Sequence, residues 1–208
     1  MENRRLIDDA IKNVLSNLYQ TPDRHYHGLA HVEALLALAK EYGALLFDRE
    51  AVEAAIWLHD AVYDSRRNDN EEQSALLAQE MLLDRADSQR LERIAAMIRA
   101  TATHTLPDFD DAENARDAAL FLDMDLAILG APAADFDSYE AAIRREYDWV
   151  DEAGWRKGRA AVLERFLARP HIFHTAAFRQ RFGAQALGNV KRSLARLQSE
   201  ESRTGSRL

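Results

Sequence analysis

Apolar positions return every three or four residues along most of this chain, and no stretch keeps the period of two that marks a half-buried strand. The pattern predicts an all-α fold with helices over 3–19, 29–43, 49–63, 71–84, 88–104, 113–129, 135–152, 155–169 and 175–199. Helix formers dominate, alanine and leucine above all, and only four prolines interrupt them. Several boundaries carry their own marks. Asp69 or Asn70 can cap the helix that follows, with Glu72 or Gln73 placed to complete a capping box. Ser88 is placed as an N-cap, and Gly130 followed by Pro132 closes the segment before it. Arg66–Asn70 and Thr105–Ala112 read as polar connections. No repeat and no long linker breaks the pattern, so residues 1–198 read as one helical domain and the polar stretch 199–208 as a frayed tail.

Polar residues in phase with the apolar stripes are the exceptions that need a reason. Val52, Ile56, His59 and Tyr63 fall at i, i+4, i+7 and i+11, one face of a helix, with Asp60 adjacent. An unpartnered buried carboxylate is costly, so a metal or another cation is expected beside this pair. A core histidine hydrogen-bonded to a carboxylate is the competing reading. Ala118, Leu122, Asp125 and Leu129 repeat the spacing and put Asp125 in an apolar stripe, while Asp123 lies roughly 200° away around the helix. Phase therefore prefers Asp125 as the buried carboxylate and leaves Asp123 as the alternative. The third element is RHYHGLAH, residues 24–31, where His31 opens a helix with Leu35, Leu38 and Tyr42 on its apolar face. His27 precedes it by one turn, and Gly28 permits a tight bend between them. Together His31, His59, Asp60 and Asp125 offer neutral nitrogen and anionic oxygen donors for a divalent cation. Water on such an ion becomes acidic enough to supply hydroxide near neutral pH.

Composition narrows the classes. With 47% apolar and 30% charged residues, a chain of 208 residues is a globular protein able to bury a full core. No apolar run approaches the ~20 residues of a membrane span, and MENRRLIDDA lacks the apolar centre of a secretory signal, so a cytoplasmic location is expected. The absence of cysteine excludes disulfides, thiolate metal sites and cysteine nucleophiles. A formal charge of −8 argues against a nucleic-acid polymer as partner, and leaves room for a local basic pocket that takes one small phosphate compound.

A lone His, an adjacent His–Asp and a distant Asp, in that order on helices, resemble the HD superfamily of metal-dependent phosphohydrolases. Here they are His31, then WLHDAVYD carrying His59 and Asp60, then FLDMDLAILG carrying Asp125. The strings RHYHGLAH, HDAVYD, DNEEQSA and DMDLAILG are similar to a group of small bacterial members, over about residues 20–195. The resemblance implies an HD-type helical bundle, with a metal-site core at about 20–130 and C-terminal helices at about 135–198 packing on it. It implies one divalent ion (Mn, Fe, Mg, Co, Ni or Zn) held by His31, His59, Asp60 and Asp125. The implied reaction is hydrolysis of a phosphate ester or anhydride, of a nucleotide or another small phosphorylated metabolite. Departures narrow the subclass. The Glu–Asp that follows the HD in stringent-response enzymes is Tyr63–Asp64 here, and the glycine–tyrosine–proline motif of cyclic-dinucleotide phosphodiesterases is absent. The two further histidines of dinuclear members are reduced to His104, so one metal is expected.

Further candidates surround this set. Asp64, one turn after Asp60, can orient a water or act as general base, or be a solvated helix-terminal acid. His104, closing IRATATHT, can act as an acid, bind phosphate or cap the helix end. Arg24 and His27 precede His31 and are placed to meet a phosphate, or Arg24 can be a surface residue beside Pro22 and Asp23. Glu72 is a site-edge candidate, although capping explains most of Glu71, Glu72 and Ser74. Arg144, Lys157 and Arg159 are candidate substrate-binding cations, with pairing to Glu146 the safer reading of Arg159. Tyr147 reads as core rather than as a nucleobase platform. The expected protein is a monomer or homodimer acting on a small phosphorylated substrate, with no nucleic-acid polymer or membrane as partner. Two other classes compete: a non-catalytic metal- and nucleotide-binding sensor of the same fold, and a helical interaction protein whose His–Asp groups only stabilise the core.

Overall fold

Four helix starts are fixed by an acidic side chain that caps an amide three residues on. Asp8 accepts from the Ile11 amide, Asp48 from Ala51, Asp87 from Arg90 and Asp151 from Gly154. Each satisfies an orphan N–H and places negative charge at the positive end of a helix dipole. The computed structural model describes residues 5–205, and among them every regular element is helical. The helices are α1 Asp9–Leu18, α2 Leu29–Glu41, α3 Arg49–Leu58, α4 Asn70–Leu82, α5 Ser88–Ala100, α6 Ala112–Asp125, α7 Ala133–Glu146, α8 Glu152–Leu167 and α9 Ala176–Gly205. Two 3₁₀ segments, Gly43–Leu45 and Leu126–Gly130, supplement them. None is long and apolar enough to cross a membrane. The chain divides into two compact units between Asp125 and Leu126.

In the first unit α3 is the hub, touching α1, α2, α4, α5 and α6. Ala51, Val52 and every residue from Ala54 to Leu58 are buried, so α3 is apolar nearly all round, as a central helix must be. The same holds for α6, buried without interruption from Asp117 to Met124. That burial corrects the expectation from helical phase: Asp123 is fully buried, while the Asp125 side chain retains 13% exposure. Phase separates inside from outside only where a helix has a solvent side. α4 and α5 form an antiparallel pair, joined near one end by Glu72 to Arg99 and farther along by Gln79 to Glu92.

Several boundaries differ from the sequence reading, α5 ending at Ala100 rather than 104 and α7 at Glu146 rather than 152 among them, and three have a visible cause. The N-cap of α5 is Asp87, whose extended backbone lets its carboxylate reach Arg90, and Ser88 becomes the first helical residue. Asp69 precedes α4 without capping it; its carboxylate takes the Arg67 fork and a hydrogen bond from Gln73, while Glu72 is drawn to Arg99. α3 stops at Leu58 with His59 as its C-cap, so Tyr63 and Asp64 lie beyond the helix. No glycine or proline ends α3. Arg24 captures the carbonyls of Asp60 and Ala61, and Ser74 Oγ bonds both backbone groups of Val62.

The second unit is built around α9, which packs on α8 and on the 3₁₀ segment. Gly130 is required there, because a Cβ would stand 2.5 Å from Phe182 Cβ. Asn189, fully buried, donates to the carbonyls of Leu129 and Ala131, and the rings of Phe173, Phe178 and Phe182 cluster beside one another. α9 runs to Gly205, into the stretch expected to fray; residues 206–208 lie outside the described residues.

Candidate metal centre

Three helices of the first unit bring the residues at their C-terminal ends together. His59 caps α3 and Asp60 follows it, Asp125 is the last residue of α6, and His104 lies just past α5. Helix C-termini carry partial negative charge, which disfavours carboxylates and favours a cation. The fourth element is the first turn of α2, which supplies His31, its amide bonded to the Gly28 carbonyl.

The donor atoms face one another. His31 Nε2 lies 3.2 Å from His59 Nε2, 3.0 Å from Asp125 Oδ1 and 3.9 Å from Asp60 Oδ2. His59 Nε2 lies 3.0 Å from Asp60 Oδ2 and 3.7 Å from Asp125 Oδ1. The tightest set is His31, His59 and Asp125, whose ligand atoms all fall within 4.8 Å of one another. Two donors about 2.1 Å from one ion and at right angles stand about 3.0 Å apart, which matches the closest pairs. Both histidines are buried, and the two carboxylates nearly so.

The tautomer of His59 decides what this geometry means. His59 Nδ1 lies 2.9 Å from the Ile56 carbonyl, which only accepts, so Nδ1 carries a hydrogen. In the neutral ring Nε2 is then a bare lone pair, and it faces the Asp60 carboxylate oxygen at 3.0 Å. Two acceptors in contact require a positive charge between them, either a proton or a metal ion. A ring nitrogen committed to a backbone carbonyl while its partner points at carboxylates is the orientation of a metal-ligating histidine. The electrostatics agree. Burial alone would lower the His59 pKa, but the charges of Asp60 and Asp125 and the bonds to Asp60 and Ile56 raise it to about 9. Burial would raise Asp60, yet the His59 and His27 charges, the His59 hydrogen bond and the His31 charge hold it below the usual carboxylate range. Asp125 is held well below it too, against burial, by hydrogen bonds from His104 and His31 and by the charge of His59.

No family model, curated protein or solved structure matches this chain.

Around the donors the structure arranges a supporting layer. Arg24 donates to the carbonyls of His27, Asp60 and Ala61 and lies over the rings of Tyr19 and Tyr63, tying the loop before α2 to the turn after α3. Its guanidinium thus serves backbone carbonyls, and Arg24 positions the site. His27 stacks on Tyr63 at 4.4 Å between centroids. Two tyrosines outside the predicted set join this layer. Tyr26 packs its ring 4.8 Å from that of His31, and the buried Tyr19 hydroxyl donates to the Trp57 carbonyl. Burial and the Asp60 charge raise the Tyr19 phenol well above its ordinary value, so it stays a neutral donor.

Other candidates sit elsewhere. Asp64 is exposed, its carboxylate accepting from the Arg66 amide in a local turn. Glu72 is engaged with Arg99. Arg144, Lys157 and Arg159 belong to the second unit. Arg144 bonds the carbonyls of Tyr147 and Val150 and lies over Trp155, and Lys157 is exposed. Arg159 is buried and ion-paired, but with Glu140 rather than the expected Glu146, and Tyr139 lies beside it. Tyr147 packs beside Trp149 and Trp155.

Proposed function

We propose that this protein is a metal-dependent phosphohydrolase of the HD type, acting on a phosphate ester or anhydride of a nucleotide or another small metabolite. The observation that carries the metal is His59: its Nδ1–H is committed to the Ile56 carbonyl and its Nε2 faces a carboxylate and a second imidazole. His31, His59 and Asp125 are the ligands, with Asp60 as the fourth. The ordered resemblance read from the sequence supports the reaction class.

A divalent ion in this place supplies Lewis acidity toward a phosphoryl oxygen and lowers the pKa of water. The chain's own residues do the rest. Tyr26 against His31 and Phe121 edge-on to His59 fix the planes of the two imidazoles. Arg24 fixes the turn that presents Asp60, and His27 stands beside that turn with a ring that can meet an anionic substrate. Mixed imidazole and carboxylate donors suit Mn, Fe, Co, Ni, Zn or Mg, and the ligand set does not choose among them.

The test measures metal content and turnover together. Stripped wild-type protein is titrated with each ion in turn and assayed against a panel of nucleotides and small phosphate esters. One ion bound per chain is expected, with phosphate released from at least one compound, and His59→Ala keeps its helix content while losing both. Binding without turnover across the panel would shift the reading to a sensor of the same fold. Failure of the wild type to bind any of these ions would overturn it.

A further inference from the structure

His104 is the one non-glycine among the described residues in the left-handed region, with φ of 51°. Its amide bonds the Ala100 carbonyl at 2.7 Å and so closes the turn that follows α5, where a left-handed residue is ordinarily glycine or asparagine. A histidine there carries a conformational penalty that either of those residues would avoid. Strain of this kind persists where the surroundings impose it, and what it achieves here is visible in the side chain. His104 Nε2 lies 2.8 Å from Asp125 Oδ2. A carboxylate only accepts, so this nitrogen carries the hydrogen and donates.

The other oxygen of the same carboxylate, Oδ1, faces His31 at 3.0 Å and His59 at 3.7 Å. A carboxylate is a soft rotor about its terminal torsion. A donor on one oxygen, reaching it from a different helix, stops that rotation and leaves the other oxygen aimed at the metal donors. We infer that His104 is a positioning residue: its left-handed backbone brings an N–H to Asp125 Oδ2 so that Oδ1 is presented to the ion. The inference rests on the metal-binding reading above. It assigns His104 no contact with substrate and no transfer of a proton.

The substitution that separates this role from simple helix capping is His104→Gly, because glycine suits the backbone while removing the donor. His104→Gln keeps a side-chain N–H of similar reach on the strained backbone. Divalent-ion affinity is measured by competition with a chromogenic chelator on stripped protein, alongside thermal unfolding without metal. His104→Gly should bind 10- to 100-fold more weakly, the range seen when a partner of a ligand is removed, while unfolding at the wild-type temperature or above it. His104→Gln should recover most of that affinity. Wild-type affinity in His104→Gly would overturn the inference, and so would a glutamine variant as weak as the glycine one. A wild type that binds no ion would overturn the metal reading itself and this inference with it, an outcome distinct from the other two.

Discussion

The two ends of α3 are both rich in buried acid, and they solve it in opposite ways. At the N-terminal end Asp117 spends one oxygen on the Phe47 amide and the other on the Asp48 amide, at 2.8 and 2.7 Å. Asp48 in turn caps Ala51 and receives the Arg90 fork, with Arg93 at 3.7 Å. Every acceptor there has a donor, and negative charge sits where the helix dipole favours it. At the C-terminal end, acceptors face acceptors: His59 Nε2 against Asp60, with the Asp125 oxygen nearby. The dipole there is of the wrong sign for carboxylates. Both clusters are polar and mix buried with partly exposed groups, so burial does not separate them. Donor bookkeeping does: one end is complete with its own donors, and the other needs a proton or a metal ion between its facing acceptors.

A crossed pair of substitutions puts that difference to its hardest test. A wild type at a thousand-fold excess of metal over Kd gains about 4 kcal/mol of stability. Asp125→Asn should reduce that increment to under about 1 kcal/mol. Asp117→Ala should do the reverse, lowering stability by about 3 kcal/mol as two amides lose a charged acceptor, with the metal increment unchanged. Urea unfolding of both variants with and without metal reads both numbers. Loss of the increment in Asp117→Ala, or its survival in Asp125→Asn, would erase the distinction between the two ends.

Much of this was legible in the sequence, and the exceptions have a common cause. Each helix lies within or across a segment that the 3.6-residue pattern marks, because that period is a local property, although ends such as those of α3, α5 and α7 fall four to six residues early. His59–Asp60 and Asp125 are legible because they fall on apolar stripes, whereas His31 is legible chiefly through the family pattern. The end of α3 was misplaced because Arg24, 36 residues before Asp60, ends it through two carbonyls. Asp123 looked exposed because phase presumes a solvent face that α6 lacks. Asp117 drew no notice because an aspartate in a helix ordinarily reads as surface. His104 stayed ambiguous because its part depends on a backbone angle and on a carboxylate 21 residues away. In each case the deciding partner is distant in the chain.

Arg24 sharpens the comparison, since it is a cation that the C-terminal end already holds, and it donates to three main-chain carbonyls there. Arg24→Ala should cost about 2 kcal/mol, the scale of charged hydrogen bonds partly replaced by water. It should also weaken metal binding by loosening the turn that carries Asp60. Arg24→Lys should recover less than half of either loss, because an ammonium cannot reproduce a planar fork that spans three carbonyls. Full recovery by lysine would mean that charge alone was needed, as a substrate-binding role would predict.

The smallest effect isolates the ion pair at the completed end. Burial raises the Asp48 carboxyl, but the Arg90 hydrogen bond, the Ala51 amide and the charges of Arg90 and Arg93 more than offset it, so the group titrates below its ordinary value. A carboxyl depressed in the folded state contributes its full stabilisation above the unfolded value, near pH 4, and loses it as pH falls through the folded value. Asparagine is as good an N-cap as aspartate, so Asp48→Asn keeps the Ala51 hydrogen bond and removes only the charge. The variant should be less stable than the wild type by about 1 kcal/mol or less at neutral pH, as expected for a partly exposed pair. The two urea midpoints should converge as pH drops below 4, where the wild type loses the advantage the variant never had. A gap that persists unchanged to pH 2 would show that Arg90 holds Asp48 by shape rather than by charge, and that the completed end of α3 does not depend on ionisation.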